Sequence, residues 1–173
     1  MVGTIGEMLL GCGAVQFGDF TLASGERSGY YVDIKSAVTD PGLLQAIGDE
    51  ICRRYTFDVV AGVAVGGVPI AVAVSLACRR PYAIVRKEEK SHGKSGLVIG
   101  SVRDRSVLLV EDVTTSGGSS LFGIEALRSA GARVERVVAV VDREQGAAEM
   151  LRKHGVALAS LVSAKELLEA RTT

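Results

Sequence analysis

Two hydrophobic patterns alternate along this chain. Short unbroken apolar runs bounded by turn residues mark strands buried on both faces, and apolar positions recurring at i, i+3 and i+4 mark one face of a helix. Residues 59–65, 82–85, 107–110, 133–141 and 156–162 belong to the first kind. Residues 70–79, 121–130, 146–155 and 164–173 belong to the second. Strand followed by helix, repeated from residue 58 onward, predicts an α/β fold with a mainly parallel central sheet flanked by helices.

The first forty residues read differently. Ile5, Met8, Leu9 and Cys12 fall at helical spacing within residues 2–13, an amphipathic helix that either covers the sheet or meets a second subunit. Residues 14–38 read as extended. Phe17, Phe20 and Leu22 precede a polar turn over residues 23–29, and Tyr30, Val32 and Ile34 then alternate with Tyr31, Asp33 and Lys35. This is most simply an antiparallel hairpin outside the main sheet. Tyr30 and Tyr31 either pack or stack on a planar ring. Asp40 and Pro41 open a helix whose apolar stripe is Leu43, Leu44, Ile47 and Ile51.

Residues 86–96 break the pattern. They hold four bases, two acids, one histidine and two glycines with no apolar side chain, so they cannot pack a core and are expected to form a mobile solvent loop. The loop leaves a sheet strand and returns through residues 97–102 as the second arm of a hairpin. A charged run is usually a solvated face; here a cationic lid over a multiply anionic ligand is the sharper reading.

The densest chemistry follows the strand at residues 107–110. Glu111 and Asp112 come first, then Thr114, Thr115, Ser116, Gly117, Gly118, Ser119 and Ser120, and then a helix. Ligands of open α/β sheets sit at the strands' carboxyl ends. Glycines let backbone N–H groups converge on an anion, and the helix start adds its positive dipole end. The carboxylates suit a diol or a divalent cation instead. A ligand with both a phosphate and a ribose diol satisfies the two halves. A plain strand-to-helix turn needs one glycine and one cap, whereas residues 111–120 hold two acids, five hydroxyls and two glycines. A receiver domain would carry its acids near the chain start. A Walker loop fails because Glu88 stands where its first glycine should be. Gly66 and Gly67, after residues 59–65, form a second strand–glycine–helix junction at the same edge.

Composition narrows the partners. At 173 residues with 47% hydrophobic content, the chain fits one soluble domain with a sizeable core, and no internal repeat or linker divides it. Twenty bases balance twenty acids, so no nucleic-acid partner is expected. No apolar run reaches the length of a membrane span and no leader is visible, so no membrane partner and a cytoplasmic location are expected. Cys12, Cys52 and Cys78 are odd in number and far apart, and are expected as buried free thiols in a reducing compartment. With two histidines, they make a zinc site improbable.

Residues 107–119 resemble the phosphoribosyl pyrophosphate-binding motif of the type I phosphoribosyltransferases. Further segments resemble the orotate phosphoribosyltransferases among them. Thr21 to Gly25 with Ser28 and Tyr30 to Asp33 look like their N-terminal substrate loop, and Gly62 to Pro69 like their pyrophosphate loop. Residues 85–93 are similar to their mobile catalytic loop, and Arg143 sits where they carry an arginine that pairs with orotate. The resemblance implies a single domain over residues 1–173, with a small hood over about residues 1–40 and a core over about 41–173. It puts Arg86, Lys87, Lys90 and His92 on pyrophosphate, with Lys87, Lys90, His92 and Asp112 catalytic. Glu111 and Asp112 then take the ribose hydroxyls, within a cosubstrate site running on through Val113, Thr114, Thr115, Ser116, Gly117, Gly118 and Ser119. Thr115 and Arg143 meet orotate. Mg²⁺ is the implied cofactor, with no assured protein side chain as its ligand, and a homodimer with shared sites is the implied assembly. Ala23 and Gly66 stand where relatives often have lysine; for the first, Arg27 or Lys35 is the candidate substitute. The alternatives are a phosphoribosyltransferase for a purine or other base, or a non-catalytic sensor of phosphoribosyl pyrophosphate.

Overall fold

The computed structural model describes residues 4–21, 25, 27–88 and 96–170. In chain order, α1 (Ile5–Gly11) leads into the antiparallel pair β1 (Val15–Thr21) and β2 (Arg27–Val32). A short turn of helix, α2 (Ile34–Ala37), and a long one, α3 (Pro41–Arg54), follow. The remainder alternates: β3 (Val59–Val63), α4 (Gly67–Cys78), β4 (Tyr82–Val85), β5 (Val98–Ile99), β6 (Ser106–Thr114), α5 (Gly118–Ser129), β7 (Arg133–Asp142), α6 (Ala147–Lys153), β8 (Ala157–Ser163) and α7 (Ala164–Glu169). The six later strands form one sheet in the order β5-β4-β3-β6-β7-β8. Its pairings are parallel except β4 with β5, which is the hairpin expected around the charged loop.

The continuous apolar runs are explained by two cores, one per sheet face. Val107 and Leu109 of β6 pack with Ile124 and Leu127 of α5 and Leu151 of α6. Leu108 and Val110 point the other way, into the cluster of Ile47, Ile51, Ile70 and Val74 from α3 and α4. Period-two alternation thus places every residue of the run in one core or the other. Ile5, Leu9, Val32 and Ile34 join the second cluster, so α1 covers the sheet and the hood shares its core with the body.

Several boundaries differ from the sequence reading. Residues 33–35 leave the strand: Asp33 caps α2, accepting from the Ser36 N–H at 3.0 Å and its hydroxyl at 2.7 Å. Ile34 and Ala37, one turn apart, are both buried, so a helical turn serves them better than an alternating strand. β3 ends at Val63 and α4 starts at Gly67. Pro69 therefore lies in the first turn, where no helical N–H bond is lost. The expectation of three buried free thiols is overturned. Cys52 of α3 and Cys78 of α4 form a disulfide with Cα atoms 5.4 Å apart, and Cys12 is exposed. Their spacing of 26 residues carries no signal, because the packing of two helices brings them together.

Candidate active site

Strand order reverses between β3 and β6: β4 lies on one side of β3, and β7 and β8 lie beyond β6. A crevice opens at the carboxyl edge of such a pair. Both glycine junctions border it. α4 starts from Gly66 and α5 from Gly117, neither with a side-chain cap, and α6 starts from Gly146 in the same way. Elsewhere, Thr4, Asp33, Asp40 and Ser163 cap α1, α2, α3 and α7 with their side chains. Of the three helices that start from glycine, α4 and α6 spend a first-turn N–H on their own chain, Val68 on the Val65 carbonyl and Ala147 on the Thr115 carbonyl, each at 3.2 Å, so α5 is the open helix start beside the acids. Gly117 has φ 85°, and a Cβ there would come 2.6 Å from Met150 Cε, so the turn before α5 requires glycine.

The acids do not follow β6; they lie within it. Glu111 and Asp112 are 4% and 6% exposed, not on a solvent-facing loop, because the strand runs on to Thr114 and pairs with β7 as far as Asp142. Consecutive strand residues face opposite ways, and the two acids have different neighbours. Glu111 is on the α5 side, where the Ser120 hydroxyl donates to its Oε1 at 3.3 Å. Burial raises the Glu111 pKa to about 7, helped by the charge of Asp112 and opposed by hydrogen bonds from Ser119 and Ser120. Asp112 is on the α4 side, against Gly66, with Lys35 Nζ 2.8 Å from its Oδ2. That contact is a charge pair without hydrogen-bond alignment.

The hydroxyl loop divides likewise. Thr115, Ser116, Gly118 and Ser119 are exposed and Val113 is half-buried. Thr114 is buried with its Oγ1 unpartnered among the described residues. Its carbonyl accepts from the Arg143 N–H at 2.9 Å, and the Thr115 carbonyl from the Ala147 N–H at 3.2 Å, which binds the loop to the end of β7. Arg143 is 9% exposed. Its guanidinium lies 4.6 Å from the Tyr30 ring centroid and donates to the Ser28 hydroxyl at 3.2 Å, while Nε is buried without a partner. Among the described residues no carboxylate pairs with it. A cavity of about 370 Å³ adjoins it, walled by Tyr30, Glu144, Lys165 and Leu168 among others. A larger groove, of about 930 Å³, lies between α1, α3, β8 and α7 and contains none of these residues.

Arg86 and Lys87 leave the carboxyl end of β4, and the Arg86 N–H donates to the Leu97 carbonyl at 2.8 Å to hold the hairpin's neck. Lys90 and His92 lie outside the described residues, as does Ala23. Arg27 pairs with Asp19 on the surface, 3.2 Å away, and it is Lys35 that reaches the crevice. Ser28 and Tyr30 fall in the segment that resembles the N-terminal substrate loop, and their contacts with Arg143 give each a definite place there. Sequence reasoning did not assign Ser120 to the site, although it carried a signal in the density of hydroxyls after the acids. Among the described residues there is no cluster of three or more metal-ligating side chains, and no helix is long and apolar enough to cross a membrane.

Known proteins agree with this geometry. Residues 42–162 match the family model of the phosphoribosyl transferase domain. The chain is 62% identical to the orotate phosphoribosyltransferase of Methanoculleus marisnigri, over 98% of this chain and 99% of that one. The crystal structure of orotate phosphoribosyltransferase from Aeropyrum pernix superposes with a TM-score of 0.82 at 35% identity, covering 98% of each chain. That of the Mycobacterium tuberculosis enzyme in complex with 5-phospho-alpha-D-ribosyl 1-diphosphate gives 0.77 at 32% identity, covering 94% of this chain and 96% of the other. The chain belongs to the phosphoribosyltransferase family and, within it, to the orotate phosphoribosyltransferases.

Proposed function

We propose that this chain joins orotate to the 5-phosphoribosyl group of phosphoribosyl pyrophosphate, releasing pyrophosphate and forming orotidine 5′-monophosphate, a step of pyrimidine synthesis. The observation that carries the choice of base is Arg143: a buried guanidinium without a carboxylate partner, over an aromatic ring, tied by its own backbone to the hydroxyl loop. Such a group suits a flat anionic ring, whose carboxylate it meets with a charge-assisted pair. Orotate is that kind of ring; a purine base has no carboxylate to offer.

The rest of the site fits the cosubstrate. Exposed Thr115, Ser116, Gly118 and Ser119 at the open start of α5 receive the 5′-phosphate, with Val113, Thr114 and Gly117 shaping the turn. Glu111 and Asp112 accept from the ribose hydroxyls. Arg86, Lys87, Lys90 and His92 meet the pyrophosphate. In the reaction the bond from the anomeric carbon to pyrophosphate breaks and one from a ring nitrogen of orotate forms. Positioning and charge stabilisation supply the catalysis, with no covalent enzyme intermediate. A Mg²⁺ arriving with the cosubstrate would be held mostly by substrate oxygens, with no protein side chain assigned as its ligand. When bound, Mg²⁺ offsets the charge gathering on the departing pyrophosphate. The working form is a homodimer whose catalytic loop serves the neighbouring site, in the cytoplasm.

Purified protein mixed with orotate, Mg²⁺ and phosphoribosyl pyrophosphate should deplete orotate absorbance. Turnover with a purine and none with orotate would overturn the reading.

A further inference from the structure

Lys35 stands apart from both ligand halves yet touches the centre of the site. Its element is fixed twice over: Ile34 and Ala37 are 1% and 8% exposed, and Asp33 clamps Ser36 through backbone and hydroxyl. Lys35 leaves this turn toward the carboxyl end of β6 and ends 2.8 Å from Asp112 Oδ2. Its own side chain is 66% exposed and that of Asp112 only 9%. A buried carboxylate is thus capped by an ammonium at the crevice mouth, with further N–H groups left to face outward. Gly66 packs against the same carboxylate, where a Cβ would come 2.4 Å from Oδ2 and 2.6 Å from Oδ1. With this backbone no side chain on Gly66 can supply a cation, and the hood supplies it instead.

We propose that Lys35 is a positioning residue for the phosphoribosyl half of the site, holding the Asp112 carboxylate in place and neutralising it as the polyanionic cosubstrate arrives. The inference rests on the cosubstrate assignment above. An ionised Asp112 at a phosphate site repels the ligand it must bind, and a fixed cation beside it removes part of that repulsion. Pairing with Asp112 in turn holds the proton on Lys35 more tightly than usual. The contrary arrangement, a plug that must leave before ribose enters, has the opposite sign: removing it would tighten binding.

Titration calorimetry with phosphoribosyl pyrophosphate and Mg²⁺ reads this without reference to the base. Lys35→Met should weaken binding roughly tenfold, the loss of one charge-assisted contact, and Lys35→Arg should recover most of it. The KM for orotate should stay within about twofold, as for a site without shared partners. In an Asp112→Asn background, adding Lys35→Met should cost less than about twofold more, because the lysine acts through that carboxylate. Unchanged or tighter binding by Lys35→Met overturns the proposal, as does a full tenfold loss in the Asp112→Asn background. If the wild type binds phosphoribosyl pyrophosphate but leaves orotate untouched, the base assignment fails and the Lys35 comparison still stands. A wild type that binds no phosphoribosyl pyrophosphate overturns both.

Discussion

Glu111 joins a cost in stability to a use in the site. Its carboxyl keeps a proton in the folded protein up to about pH 7, against 4.5 as the ordinary value, chiefly because it is buried. The folded state therefore binds this proton more tightly than the unfolded chain. Its contribution to stability is complete below about 4.5 and is lost as pH rises to about 7, levelling off above. Denaturant titrations of wild type and Glu111→Gln should diverge across that window. At pH 8 the variant should be the more stable by up to roughly 3 kcal/mol. Parallel curves would show that Glu111 ionises freely. Arg143→Ala should raise the KM for orotate by roughly ten- to a hundredfold and leave that for phosphoribosyl pyrophosphate nearly unchanged. Equal damage to both would mean that the residue supports the fold instead. The types and order of these residues were legible in the sequence. Their burial was not, because the polarity of Glu111 and Asp112 disguised four further residues of strand, up to Thr114, whose pairing with β7 overrides the local pattern.

The elements were legible wherever one face or both must be apolar, and β4, a four-residue strand, falls at the predicted residues. Their ends were less so, since a helix start is decided by a cap, and glycine starts leave no polar side chain to read. The disulfide between α3 and α4 was out of reach for the same kind of reason: it depends on how two helices lie together. Its removal has a definite consequence. Closing a loop of 26 residues constrains the unfolded chain by about 3 kcal/mol, so Cys52→Ser, or reductant added to the wild type, should lower the midpoint of thermal unfolding by roughly 5–10 °C. Calorimetry with and without reductant checks this; coincident curves would mean that the two thiols are not joined in solution. Turnover should hardly change, because Cys78 ends α4, while the site meets that helix at its start.

At the level of the molecule, the hood and the body are one hydrophobic unit joined by two polar clasps, Ser28 with Arg143 and Lys35 with Asp112. The sheet order and the crevice at its reversal follow from the alternating pattern by general rules of chain winding. The hood's docking does not, since it depends on contacts between residues more than a hundred positions apart. The shared-site dimer is tested by mixing two dead variants, Lys90→Ala and Asp112→Asn. If subunits exchange, a mixed dimer holds one site with both parts intact, so up to about half the activity of that dimer should return. A mixture that exchanges and stays inactive would confine each loop to its own subunit. The glycine start of α5 carries a last consequence, for the protein's lifetime. Its uncapped first-turn donors gain a partner when the cosubstrate's phosphate binds, so the cosubstrate also acts as a ligand of the fold. At a hundred times its dissociation constant it would add about 2.7 kcal/mol against unfolding. In a cell depleted of phosphoribosyl pyrophosphate, idle copies would open more often to proteases, and the abundance of the enzyme would follow the supply of the metabolite it consumes.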